Sequence, residues 1–182
     1  TIGDSNINAI HTIFETPING NRVNLNITYS AILDGIRGSG VRGDTVYAPY
    51  NWWGINSGLS IMYINNKSIE TWAVLLFYIE DGNNSVGTNS KFISEFKWSD
   101  GENISDLNVG EYLPSRPIKF ESQSGSFLKV NSNIVNSFSN YLIGNTVDSM
   151  VYCVVDNQRC SLEIGEGLSH YTYFVAPWGI NS

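Results

Sequence analysis

Apolar and polar residues alternate along several stretches of the chain, a pattern typical of β-strands with one buried face. In the clearest case, residues 23–29, every second position is apolar and the positions between are Asn or Thr. Similar patterns predict further strands over 5–14, 59–65, 91–98, 117–121 and 126–130. The apolar run 69–80 predicts a central strand buried on both faces. Residues 169–178 predict another strand, with Pro177 at its end.

One segment supports two interpretations. Its apolar positions follow a helical spacing after Ser132, which could cap a helix: Ile134, Val135, Phe138, Tyr141 and Leu142. Its many Asn and Ser residues are poor helix formers. A short helix and a strand therefore both remain open here.

The predicted strands are short and are separated by turn-rich stretches at 34–43, 81–90, 99–110 and 122–125. This arrangement predicts an all-β fold, namely a single β-sandwich (immunoglobulin-like or jelly-roll) with at most one short helix. No shift in composition marks a linker, so we expect residues 1–182 to form one domain.

The composition narrows the possible partners. The chain is 42% hydrophobic but only 15% charged, with a net charge of −7, whereas about a quarter of the residues in globular domains are charged. Neutral polar residues replace the missing charges, with 22 Asn and 22 Ser. An acidic protein repels nucleic acid, and no run of eighteen apolar residues is present to insert into a membrane. We expect a monomer whose surface of amides and hydroxyls suits a neutral polyol.

The two cysteines, Cys153 and Cys160, flank a predicted hairpin turn at Asp156-Asn157. We predict a disulfide across this hairpin, which would stabilise the fold by about 2.5 kcal/mol. A zinc site lacks further ligands, and a redox pair usually has two residues between its cysteines. A disulfide implies an oxidising compartment. The chain begins at Thr1 rather than Met, so we expect a processed chain or an excised domain.

No sequence motif of an enzyme is present: there is no nucleophile elbow, phosphate-binding loop or zinc-protease helix. A glycosidase needs only two carboxylates, and candidates are Glu70, Glu80, Asp81 and Glu95. Asp81, Asn83 and Ser85 have the spacing of calcium ligands, but the segment lacks the remaining features of such a loop and fits a turn better. We expect no catalytic residue, cofactor or metal.

The tripeptide Arg42-Gly43-Asp44 lies in a glycine-rich stretch and is the sequence that integrins recognise. All three are also common turn residues. A protein receptor bound through this tripeptide is therefore an alternative, and a solvated loop is the simpler interpretation.

The segment 47–56 contains four large aromatic residues beside Gly, Pro and Asn, which indicates a loop. Aromatic faces stack on sugars, and amides or carboxylates bind their hydroxyls. The candidate ligand-binding residues are Asp44, Tyr47, Tyr50, Asn51, Trp52, Trp53 and Asn56. Either Trp could instead fill the core, although neighbours on an extended chain point to opposite faces. A second aromatic set is interpreted mostly as core: Trp98, Tyr112, Tyr171, Tyr173 and Trp178.

Together, the absence of an initiator Met, the cysteine pair, the acidic Asn- and Ser-rich composition and the aromatic segment 50–53 resemble the receptor-binding domain at the tip of bacterial chaperone–usher fimbriae. The resemblance extends over the whole chain in character and includes no diagnostic motif. It implies a lectin-like β-sandwich, exported through the periplasm to the fimbrial tip, that joins pilin subunits through a C-terminal pilin domain outside this chain.

We therefore expect an adhesin domain that attaches bacteria to a host glycan or glycoprotein. The alternatives are a viral or phage surface domain, an adhesin that binds protein through Arg42-Gly43-Asp44, and a secreted carbohydrate-active enzyme.

Overall fold

The computed structural model describes residues 5–19, 23–37, 45–56, 61–62, 66–80, 89–109 and 112–165. Nineteen strands and no α-helix are present in these ranges. The predicted all-β fold is confirmed. The chain divides into two compact units, a division that no composition shift had indicated. Unit 1 comprises the described residues of 1–74 and 97–114, and unit 2 those of 75–96 and 115–165.

Unit 1 is built from short strands, most of them two to six residues long. They are β1 (Ser5–Ile10), β2 (Ile13–Phe14), β3 (Ile18–Asn19), β4 (Val23–Thr28), β5 (Ala31–Ile32), β6 (Ile36–Arg37), β7 (Thr45–Tyr47), β8 (Asn51–Trp52), β9 (Ile61–Met62), β10 (Asn66–Ser68) and β13 (Ile104–Asn108). Two longer strands, β11 (Trp72–Ile79) and β12 (Ser90–Ser99), contribute residues to both units.

The first ten strands and the start of β11 form successive parallel coils. Each of the first three coils adds one strand to each of three sheets, and the last adds β10 and β11 to two of them; the strand orders are β1-β4-β7-β10, β2-β5-β8-β11 and β3-β6-β9. Partners in register lie 18 residues apart between the first two coils, as for Asn6 and Asn24, and 21 apart for Asn24 and Thr45. This is the architecture of a parallel β-solenoid, a feature that the sequence analysis did not predict.

Alternation within the coils directs apolar residues inward. Leu25 of β4 pairs in register with Val46 of β7, and both are buried, while their neighbours Asn24 and Asn26 are exposed. The period-two pattern of residues 23–29 therefore marks one inner face of the solenoid.

Unit 2 is antiparallel. Besides its parts of β11 and β12, it contains β14 (Arg116–Ser122), β15 (Ser126–Phe127), β16 (Asn131–Ile134), β17 (Ser137–Ile143), β18 (Ser149–Val155) and β19 (Gln158–Ile164). One sheet has the order β15-β17-β12-β11 and the other β16-β14-β18-β19. Phenylalanine rings join the two sheets: the centroid of Phe120 lies 5.2 Å from that of Phe127 and 6.3 Å from that of Phe77. Unit 2 thus has the two-sheet packing of a sandwich.

The open choice over residues 132–142 is decided in favour of strands, because this segment lies in β16 and β17. Ile134, Asn140 and Leu142 are buried at even-numbered positions, so the period of two outweighs the helical spacing. Among the other predictions, the Asp156-Asn157 hairpin is confirmed, and β11 is buried on both faces from Trp72 to Leu75.

Two turn-rich stretches contain short strands that were not predicted, β6 and β13. The predicted strand over 169–178 lies outside the described residues. Within the part of the chain that the structure describes, no helix is long and apolar enough to cross a membrane.

Candidate ligand-binding site

The structure separates the seven predicted ligand-binding residues into two groups. Tyr47 and Tyr50 are exposed at 50% and 36% of their surface. Four others are buried: Asn51, Trp52, Trp53 and Asn56. Asp44 lies outside the described residues, as does the whole tripeptide Arg42-Gly43-Asp44.

Both tryptophans belong to the interior, which corrects their assignment as stacking surfaces. Trp52 is fully buried in β8, and Trp53 is only 3% exposed. The alternation argument for keeping one of them outside does not apply, because β8 ends at Trp52 and Gly54, with φ of 78°, turns the chain immediately afterwards. The predicted loop at 47–56 in fact contains the end of β7 and all of β8.

Asn51 has a structural role in the solenoid. Its side-chain oxygen accepts a hydrogen bond from the backbone N–H of Ser30 at 2.8 Å, and its amide nitrogen donates to the carbonyl oxygens of Ile27 and Ala48 at 2.7 and 3.0 Å. These bonds satisfy buried backbone groups in two adjacent coils. Asn51 is therefore not available to a ligand.

The exposed tyrosines belong to a larger group of aromatic side chains in unit 1, here called the tyrosine cluster: Tyr29, Tyr47, Tyr50, Trp98 and Tyr112. The rings of Tyr29 and Tyr50 are stacked, with centroids 5.5 Å apart and planes at 16°. Tyr112 lies 5.1 Å from Tyr29, and Trp98 meets Tyr50 edge-on at 5.3 Å. Trp98 is 6% exposed and Tyr112 is 53% exposed, so a buried indole supports an exposed tyrosine surface.

The solenoid itself aligns the stacked pair. Tyr29 and Tyr50 occupy equivalent turn positions in consecutive coils, and the N–H of Tyr29 donates to the carbonyl oxygen of Tyr50 at 2.9 Å. The backbone of both residues has a left-handed conformation, with φ of 51° at Tyr29 and 58° at Tyr50. His11, at the same turn of the first coil, also has a left-handed backbone, with φ of 51°. Left-handed backbone costs a non-glycine residue about 1–2 kcal/mol, so each of these three turns carries that cost.

The phenol of Tyr29 is held in its neutral form. The pKa of Tyr29 is raised, mainly because its phenol is partly buried. Smaller contributions come from the nearby phenols of Tyr50, Tyr112 and Tyr47. Tyr29 therefore stays protonated and can donate as well as accept a hydrogen bond. Flat ring faces next to hydroxyl groups can hold a ligand that has both C–H faces and hydroxyls.

Tyr47 and Tyr50 were predicted from the sequence as site residues, and Trp98 and Tyr112 as core. Tyr29 was not predicted as a site residue, because its position fits the end of the alternating strand pattern. The signal that could have found Tyr29 is its spacing of 21 residues from Tyr50, the same as between the paired residues Asn24 and Thr45. That spacing becomes meaningful only when the coils are known.

The candidate carboxylates have other contacts. In unit 2, Glu80 forms an ion pair with Lys91 at 2.6 Å, and Glu95 accepts a hydrogen bond from the Tyr78 hydroxyl at 2.9 Å. Burial, together with that bond and the charges of Glu95 and Glu80, raises the pKa of Tyr78 to about 12. Glu70 is exposed in unit 1, and Asp81 lies outside the described residues.

Cys153 and Cys160 are directly opposite one another on β18 and β19, and both are buried. They are free thiols in this structure, so the register needed for the predicted disulfide is present and the bond is not. A hydrogen bond between the two thiols and then burial raise the pKa of Cys153.

Within the described ranges, no three His, Cys, Asp or Glu side chains are grouped to hold a metal ion. Asn83, Ser85, His170, Tyr171, Tyr173 and Trp178 lie outside those ranges.

No protein-family model, curated protein or solved structure matches this chain.

Proposed function

We propose that this chain is an extracellular adhesion domain that binds a neutral glycan through the tyrosine cluster. The observation that carries the proposal is the packing of the exposed Tyr50 and Tyr112 against the half-buried Tyr29, next to the buried Trp98. Tyrosine supplies a large contact area with few rotatable bonds, so ordering it on binding costs little entropy. The C–H face of a pyranose can pack on the rings while its hydroxyls bond the phenols.

The composition supports a neutral ligand. The net charge of −7 disfavours anionic partners, and the cluster itself contains no ionic side chain. A single shallow site binds sugar weakly, and many copies acting together would provide adhesion through multivalency.

The test is a glycan array followed by calorimetry on the strongest hit. We expect Tyr50→Ala and Tyr112→Ala each to weaken binding about 5- to 30-fold, because each removes about 1–2 kcal/mol of stacking and hydroxyl contacts. The matched control is Tyr141→Ala, which removes a tyrosine of similar exposure (42%) from unit 2. Absence of any glycan signal, or equal binding by all three variants, would contradict the proposal.

Location at a fimbrial tip is the narrower form of the proposal, with export through the periplasm and attachment to pilin subunits. It is supported by the acidic, Asn- and Ser-rich composition and by the resemblance described above. The parallel coils of unit 1 are not a feature that this resemblance implies. The fimbrial location can be tested by sequencing the complete gene. A C-terminal pilin domain would support it, and a complete gene without such a domain would contradict it.

A further inference from the structure

A second polar surface lies on the outward side of the sheet β1-β4-β7-β10, next to the tyrosine cluster. We call it the amide face and define it by the outward residues of β1, β4 and β7: Asn6, Asn8, Asn24, Asn26, Thr45 and Tyr47. The register arranges them in two rows across the strands. The first row is Asn6–Asn24–Thr45 and the second is Asn8–Asn26–Tyr47.

The first row is held by its own hydrogen bonds. The Thr45 hydroxyl donates to the side-chain oxygen of Asn24, whose amide nitrogen donates to the side-chain oxygen of Asn6 at 2.9 Å. The amides of this row therefore have one orientation, and the row forms a stiff border to the second row.

The second row is open to a ligand. Asn8 and Asn26 are exposed, and neither makes a side-chain hydrogen bond to any residue that the structure describes. Each offers two donors and one acceptor. Neighbouring strands are separated by about 4.8 Å, so Asn8 and Asn26 offer the same groups one strand spacing apart, and an extended ligand lying across the strands can contact both.

The amide face is uncharged and continuous with the tyrosine cluster. Strands β1, β4 and β7 contain no Asp, Glu, Lys, Arg or His. Tyr47 ends the second row, three residues before Tyr50 of the cluster, and its phenol helps to raise the pKa of Tyr29. A ligand seated on the tyrosines can therefore continue along the row without meeting a charge on these strands.

We propose that the tyrosine cluster and the amide face form one surface that binds an extended, neutral polysaccharide chain lying across the strands. The inference rests on the proposed function, because the tyrosine cluster anchors the chain, and it adds the ligand class and the role of Asn8 and Asn26. Longer chains should bind more tightly than short ones, since only they reach from the tyrosines to the second row.

The test uses uncharged saccharides of the cellulose, xylan and mannan series, from disaccharide to soluble polymer, with polygalacturonate as an anionic comparison. In at least one neutral series we expect affinity to rise with chain length. The double variant Asn8→Ala/Asn26→Ala should lose about tenfold in affinity for the longest chains, because it removes two amides that can each hydrogen-bond the ligand. Its affinity for the shortest binding saccharide should not change.

The matched control is Asn131→Ala/Asn133→Ala, which removes two exposed asparagines from one strand, β16, in unit 2. Asn8→Ser/Asn26→Ser replaces the first variant if it fails to fold. Length-independent binding, or long-chain affinity unaffected by the β1 and β4 substitutions, overturns the inference while the proposed function stands. Tighter binding of polygalacturonate than of every neutral chain also overturns it. No binding at any length overturns both.

Discussion

At the scale of single residues, one residue type has two different roles in unit 1. Asn51 is buried and bonds the backbone of two coils, whereas Asn8 and Asn26 are exposed. Burial decides the role, because a buried amide must satisfy its own bonds and those of its neighbours. Substitutions of asparagine should therefore have very different effects on stability.

Asn51→Ala should lower the free energy of unfolding by about 2–5 kcal/mol, because it leaves the Ser30 N–H and two carbonyl oxygens without their partner. Asn8→Ala, at an exposed position, should change it by no more than about 0.5 kcal/mol. Urea unfolding measures both. If the two substitutions lower the free energy of unfolding equally, the hydrogen bonds of Asn51 contribute little to stability.

The raised pKa of Tyr78 leads us to expect a loss of stability at high pH. Its pKa rises from 10.0 to about 12 on folding, first through burial and then through its bond to Glu95. The folded state holds this proton more tightly, so the contribution is complete below about pH 10 and disappears between about pH 10 and 12. We expect the free energy of unfolding to fall more steeply over this interval in the wild type than in Tyr78→Phe. Parallel slopes would contradict the assignment.

At the scale of elements, close backbone approaches and strand register determine which changes are tolerated. Gly125 and Gly144 both have positive φ, at 74° and 71°. A Cβ on Gly125 would lie 2.7 Å from the carbonyl oxygen of Ile143, whereas one on Gly144 would meet nothing within 4 Å. The two glycines therefore separate the cost of backbone conformation from the cost of a clash.

Gly144→Ala should destabilise unit 2 by about 1–2 kcal/mol, which is the cost of left-handed backbone alone. Gly125→Ala should cost about 1–3 kcal/mol more, because the backbone near β15 and β17 must shift. Thermal unfolding compares the two variants. If Gly144→Ala is equally damaging or worse, the close contact is not what requires glycine at position 125.

The register of the β18–β19 hairpin allows the effect of oxidation on stability to be predicted. Directly opposed residues on antiparallel strands have Cα atoms about 4.5–5.5 Å apart, within the range of a disulfide. Mild oxidation should therefore join Cys153 to Cys160 and raise the free energy of unfolding by about 2.5 kcal/mol relative to the reduced protein. Cys160→Ser should show no such gain. An oxidised protein no more stable than the reduced one would indicate strain in the hairpin.

At the scale of the whole molecule, the chain combines two ways of burying β-strands. Unit 1 stacks parallel coils, each of which needs its neighbours to cover its edges, and unit 2 packs two antiparallel sheets through phenylalanine rings. In a stack of coils, the contribution of an inward-facing residue to stability depends on whether its coil is covered on both sides. Ile7 of the first coil is half-buried, while its partner in register, Leu25, is buried.

Leu25→Ala should therefore cost about 2–5 kcal/mol, the usual range for a buried leucine, and Ile7→Ala should cost clearly less. Urea unfolding of the two variants is the measurement. An equal or greater cost for Ile7→Ala would mean that the first coil is covered in solution.

The amino-acid sequence by itself determined the all-β class, most of the longer strands and the Cys153–Cys160 register, because alternation and turn residues act over a few neighbouring positions. Only the tertiary structure decided which strands pair. A period of two records which side of a strand is apolar but not which distant strand lies beside it. Stacking coils about 20 residues apart buried Trp52 and Trp53, made Asn51 structural and placed Tyr29 against Tyr50. The candidate site therefore follows from pairing between coils, which no local pattern specifies.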